Sequence, residues 1–197
     1  MKTWMSLTVL GALLLFGSGT AAKAETWTLD QAHTNIKFTV KHMMVTNVEG
    51  RFTDFEGTVT YDPKQPEKSS VNVTIQTASV NTDNERRDGH LRSADFFETE
   101  KYPTMTFVSK KVKKSADGLE VVGDLTLHGV THEVTLKVEG PTGPVEFMGM
   151  TKMAAHATAT INRTNYGLTW NKTMEAGGLL VGEEVSIVID TELDLQK

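Results

Sequence analysis

Ile36, Phe38, Val40 and His42 alternate with Lys37, Thr39, Lys41 and Met43. A period of two sends these sets to opposite faces of one strand, and no helix can satisfy that pattern. The alternation recurs along the chain. It is carried by Val71, Val73 and Ile75; by Met105 and Phe107; by Leu119, Val121, Leu125 and Leu127; by Val134, Leu136 and Val138; and by Val185, Ile187, Ile189, Leu193 and Leu195. Asp117-Gly118 and His128-Gly129 are hairpin signals between such runs. Gly50 and Gly57 predict a bent or bulged pair between Val48 and Tyr61, and Gly140-Pro141-Thr142-Gly143-Pro144 predicts a break. A strand from about Met153 to Ile161 carries Ala155, Ala157 and Ala159 on one face. The count comes to roughly eight or nine strands spaced as in an all-β sandwich or barrel.

One stretch departs from this pattern. Asn81 to Phe107 is polar and helix-like, with Thr82 and Glu85 spaced as a capping box and Asp88 four residues before Arg92. Gly89 limits it to a turn or two, Leu91, Phe96 and Phe97 give it an apolar side, and Pro103 returns the chain to extended geometry. A short helix packed on the sheet is expected.

Long strands expose edges unless the sheet closes, so an antiparallel barrel of about eight strands is the expected architecture. Its inward face would be lined by Ile36, Phe38, Val40, Val73, Ile75, Phe107, Val121, Leu125, Val134, Leu136, Ala157, Ile187 and Ile189. Aromatic residues are only 7% of the chain, so this lining is aliphatic and leaves room for an apolar lumen. Met148, Met150 and Met153 would supply adaptable side chains at one end, or fill gaps in a solid core. Asn162 to Glu183 is the longest stretch without a strand period. With Trp170 in it, it reads as a lid or mouth, or as a plain surface loop.

The ends and the charge narrow the setting. Met1 to Ala24 has Lys2, an apolar run from Leu7 to Phe16 and Ala22-Lys23-Ala24, the pattern of a cleaved secretory signal, which leaves residues 25–197 as one domain. The apolar run is shorter than the ~20 residues of a membrane span, so stable membrane insertion is not expected. With no cysteine, an exported chain has neither disulfides nor a thiolate metal site. Without Lys2 and Lys23 the basic count falls from 20 to 18 against 25 acidic residues, a formal charge of −7 that argues against nucleic acid as a partner.

Arg86, Arg87, His90 and Arg92 concentrate positive charge that could hold a ligand head group, or could form local ion pairs with Asp83, Glu85, Asp88 and Asp95. Arg163 and Trp170 are further head-group or mouth candidates, and Arg163 is expected to pair with Asp190 or Glu192. Asp88, His90 and Ser93 hold the atoms of a triad without a nucleophile elbow, and the six His residues lack a metal motif. No catalytic residue, metal or cofactor is assigned.

The run ERRDGHLRSADFFETEKYPTMTF from Glu85, GDLTLHGVTHEVTL from Gly123, INRTNYGL from Ile161 and WTLDQAHTNIKFTVKHM from Trp27 together resemble the YceI-like family of bacterial polyisoprenoid-binding proteins. The resemblance spans nearly all of residues 25–197. It implies an extended lipocalin-like barrel that holds a long-chain isoprenoid, quinone-like or other amphiphilic lipid, acting as a non-enzymatic carrier in the periplasm. The other classes left open are a structural or interaction protein with a filled core and a lipid-modifying enzyme; a homodimer is also open.

Overall fold

The computed structural model describes residues 24–175 and 177–196. Of the expected leader, all but Ala24 lies outside them. Eleven strand segments form: β1 Glu25–Leu29, β2 Asn35–His42, β3 Thr46–Phe52, β4 Phe55–Tyr61, β5 Ser70–Gln76, β6 Val80–Asn81, β7 Thr104–Ser115, β8 Gly118–Leu127, β9 Val130–Phe147, β10 Met150–Asn162 and β11 Val181–Leu195. One α-helix, α1, spans Glu85–Arg92.

All pairings are antiparallel, and β11 closes the sheet by bonding β1 and β2 on one side and β10 on the other. Because β1 and β2 share β11, and β4 and β3 pair with them in turn, β1/β2, β3/β4 and β5/β6 are three interrupted strands. With β7 to β11 they make a closed eight-position barrel. Closure removes the edges that long strands would otherwise expose.

The three interruptions lie at one level. Above it, β5 continues as the two residues of β6, which bond β3 but not β7, and the segment containing α1 covers the gap. Arg92 fastens the helix across this seam by donating to the carbonyls of Ala78 and Val80 at 2.7 and 2.8 Å. Thr77, fully buried, donates its hydroxyl to the carbonyls of Tyr102 and Pro103 on the far side.

Several local expectations change. The helix cap is Asn84, whose side chain accepts from the Arg87 N–H at 3.0 Å, rather than Thr82. Thr82 and Asp88 instead bond each other inside the fold, where Asp88 accepts from the Thr82 backbone and hydroxyl, so Asp88 does not pair with Arg92. The strand is interrupted at Thr53-Asp54, not at the glycines between which that break lies. Those glycines make space: a Cβ on Gly50 would meet the Phe38 ring at 2.3 Å, and one on Gly57 would meet Leu29 at 2.0 Å. The Gly-Pro run does not end its strand either. β9 continues through it with two bulges against β10, at the steps Glu139 to Thr142 and Thr142 to Val145, so the unpaired positions absorb prolines that lack an N–H.

Candidate functional site

Inside the barrel is a cavity of about 470 Å³. Its size falls within the roughly 300–1,000 Å³ of small-molecule sites. All thirteen residues placed on the inward face by their period line it. The alternation works because each segment of wall turns every second side chain inward, and the bulk of that lining is aliphatic. Ala155 and Ala157 leave volume where β10 passes, while Gly123 lets the Phe107 ring lie across the wall, since a Cβ there would meet that ring at 2.6 Å.

One end is plugged. Trp27, Met153 and Leu193 form a compact cluster, exposed by 2%, 5% and 3%, with Leu29, Val59, Tyr61 and Leu195 around it. Met153 thus meets the expectation of an adaptable residue at one end; Met148 and Met150 do not, because they stand exposed on the β9–β10 hairpin. Outside the plug, Lys152 Nζ lies 2.6 Å from Asp30 and 2.8 Å from Asp194. Hydrogen bonds from Lys152 and His33 hold the Asp30 carboxyl well below the usual range, and Asp194, then Asp30, hold the Lys152 ammonium above its own. Asp30, His33 and Glu192 are close enough together to suggest a metal site, yet Lys152 already supplies their positive charge.

The other end is built from α1, the β2–β3 turn and the segment between β10 and β11. Arg87 and His90 line the lumen there and also, with Asn84 and Arg86, an outer recess, so the two spaces meet at these two side chains of α1. Lining residues near the plug are buried or half-buried, whereas Arg87 and Lys41 are exposed. This end is the mouth. Arg87 is held by Thr82, donating to its hydroxyl and carbonyl at 2.7 and 2.8 Å. His90 meets Trp170 edge-on at 4.8 Å and Phe96 at 5.1 Å, joining helix and loop across the opening.

Arg163 is 4% exposed and lines the lumen wall. Among the described residues no carboxylate forms an ion pair with it, although the charge of Glu183 acts on it from further off; Asp190 is taken by His156 and Lys37, and Glu192 lies beside Lys152. Its guanidinium donates instead to four carbonyls, those of Leu168, Trp170, Val181 and Gly182, and burial pulls its pKa down. A fork of five donors can knit a loop in this way, and sequence spacing could not have identified carbonyl partners. Of the six head-group or mouth candidates, Arg87, His90, Arg163 and Trp170 reach the lumen, Arg86 reaches the outer recess, and Arg92 serves the seam. Leu168, Leu180 and Val181 join the lining from the loop that was expected to be a lid.

The triad atoms do not assemble. His90 Nε2 is 2.7 Å from Asp95, and the Ser93 hydroxyl donates to the His90 carbonyl rather than to its ring. His42 faces the lumen, but His132 sits exposed at the rim against the Asn165 carbonyl.

Among the described residues no helix is long and apolar enough to cross a membrane. Residues 27–193 match the YceI-like domain. A UPF0312 protein of Staphylococcus aureus strain MSSA476 is 38% identical over 179 residues, covering 87% of this chain and 98% of its own. The protein YceI of Escherichia coli is 46% identical over 140 residues, covering 70% and 72%. The crystal structure of the Campylobacter jejuni YCEI protein superposes with a TM-score of 0.68 at 32% identity, over 80% of this chain and 90% of that one. A polyisoprenoid binding domain from Saccharophagus degradans shares the fold at a TM-score of 0.62 and 18% identity, over 86% and 98% of the two chains. The closed barrel, its short helix and these matches place the chain in the YceI-like family.

Proposed function

We propose that the protein is a non-catalytic carrier that encloses the apolar chain of an isoprenoid, quinone-like or similar amphiphilic lipid, in the periplasm to which its leader would direct it. The observation that carries this reading is an apolar lumen, plugged at one end and reached at the other past Arg87 and His90. Removing a chain from water is worth ~0.8 kcal/mol per CH₂, so a long lipid binds there without polar contacts. Head-group contact then falls to Arg86, Arg87, His90 and Trp170 at the mouth. The polyisoprenoid-binding neighbour supports the ligand class.

Native mass spectrometry of protein purified from its own envelope, followed by organic extraction, tests the reading. A stoichiometric lipid is expected. Ala157→Phe, which fills the lumen from β10, should lower the extracted lipid per protein several-fold while changing stability by only about 1 kcal/mol, the low end for overpacking because the ring enters a void. A clean mass for the native protein with no uptake of added isoprenoid would favour a purely structural role.

A further inference from the structure

The β2–β3 turn places Met43, Met44 and Val45 in solvent, 46%, 62% and 82% exposed. Met43 and Met44 sit at φ of 51° and 59°, with the Val45 N–H closing the turn on the His42 carbonyl at 3.1 Å. A turn with two positive φ values is made with least strain by Asn-Gly. Two methionines there are strained, and much of their side-chain surface is left in solvent.

Their position suggests a purpose. The Met43 N–H donates to the Leu180 carbonyl at 2.7 Å, and His42 and Leu180 on either side of that bond line the lumen. The turn is therefore part of the mouth. Exposed residues on the elements around the mouth carry both signs, with Lys41, Arg86, Arg87 and Lys172 against Glu49, Asp83, Glu85, Glu175, Glu183 and Glu184. Three side chains are too few for a stable protein partner, which needs about 800 Å² from each side. A bilayer accepts a wedge of this size at the boundary between headgroups and acyl chains. Resting on the carrier reading, we propose that Met43, Met44 and Val45 dock the mouth onto a zwitterionic lipid surface, phosphates meeting the cations and ammonium groups the carboxylates, so that the lipid passes between bilayer and lumen without crossing water.

The molecule carries its own control. Val145, Phe147, Met148 and Met150 are also exposed, but on the β9–β10 hairpin, on the plugged side of the barrel. Flotation with vesicles of phosphatidylcholine and phosphatidylethanolamine should be run on the native protein, on M43N/M44G and on F147S/M148S. The native protein should float. M43N/M44G should float about tenfold more weakly or less, as expected for two apolar side chains withdrawn from a lipid boundary, and should exchange a fluorescent isoprenoid with vesicles correspondingly more slowly. Its thermal midpoint should be no lower than that of the native protein, which certifies the fold, and its lipid content at equilibrium should be unchanged. F147S/M148S should float within about twofold of native on the same reasoning. A native protein that stays with the lipid-free fraction, an M43N/M44G variant that floats as native, or loss of flotation in F147S/M148S alone would overturn the docking. Extraction that yields no lipid from a protein that floats as expected would instead remove the carrier reading and leave the docking in place.

Discussion

The two ends of the barrel solve opposite problems with similar materials. At the plugged end, Trp27, Met153 and Leu193 exclude solvent by packing, and the charged groups lie outside, gathered around Lys152. At the mouth, a cation is inside: Arg163 is buried with carbonyls for partners, while the apolar residues Met43, Met44 and Val45 are outside. Packing makes one end stiff because close-packed side chains have few alternative arrangements. Four hydrogen bonds to one guanidinium make the other definite in shape, yet dependent on a single residue.

The largest test of this contrast is Trp27→Ala. It should cost about 3–5 kcal/mol in urea unfolding, the range for a large aromatic removed from a closed core. A smaller loss than at the mouth would reverse the assignment of stiff and adjustable ends. Arg163→Met should cost about 2 kcal/mol, because the carbonyls of Leu168, Trp170, Val181 and Gly182 lose their shared donor but lie near enough to the rim for water to replace part of it. Hydrogen exchange should then accelerate in residues 163–182 and remain native in β1 and β4. Uniform acceleration would mean that Arg163 supports the whole barrel.

Lys152→Met should have the smallest effect, about 1 kcal/mol, as befits a partly exposed ion-pair network. Its pH dependence is more telling. Asp30 is depressed, so its contribution is complete above its unfolded value, near the usual 3.9, and is lost only as pH falls through the lower folded value. Without Lys152 that depression shrinks, and acid unfolding should begin at a higher pH than in the native protein. Coincident acid limbs would show that the outer charges do nothing for the plug.

Much of the fold was legible because alternation is a local property with a global consequence. Val73, Val121 and Ile187 are far apart in sequence, yet each lay on the apolar side of its own strand and each faces the lumen. The hairpins at Asp117-Gly118 and His128-Gly129 were legible for a related reason, since glycine marks positive φ directly. What the sequence hid depended on distant partners. Arg163 was expected to seek a carboxylate, and only the returning loop supplies carbonyls at the right places. Gly50 and Gly57 announced bends, whereas their cause is the space taken by Phe38 and Leu29 from the next strand. The Gly-Pro run announced a break because bulges that accommodate proline require a partner strand to be defined at all.

The level at which β1/β2, β3/β4 and β5/β6 are interrupted divides the wall into two kinds of hoop. Below it β11, β1, β4, β5, β7 and β8 are hydrogen-bonded in turn, and that arc cannot widen without breaking backbone pairs. Above it the hoop is C-shaped: β6 and β7 are unbonded, and the gap is clasped by Arg92 and the aromatic contacts of α1. A C-shaped ring can widen by moving its clasp alone. The girth of the upper lumen is therefore set by side chains, while that of the lower lumen is set by the backbone.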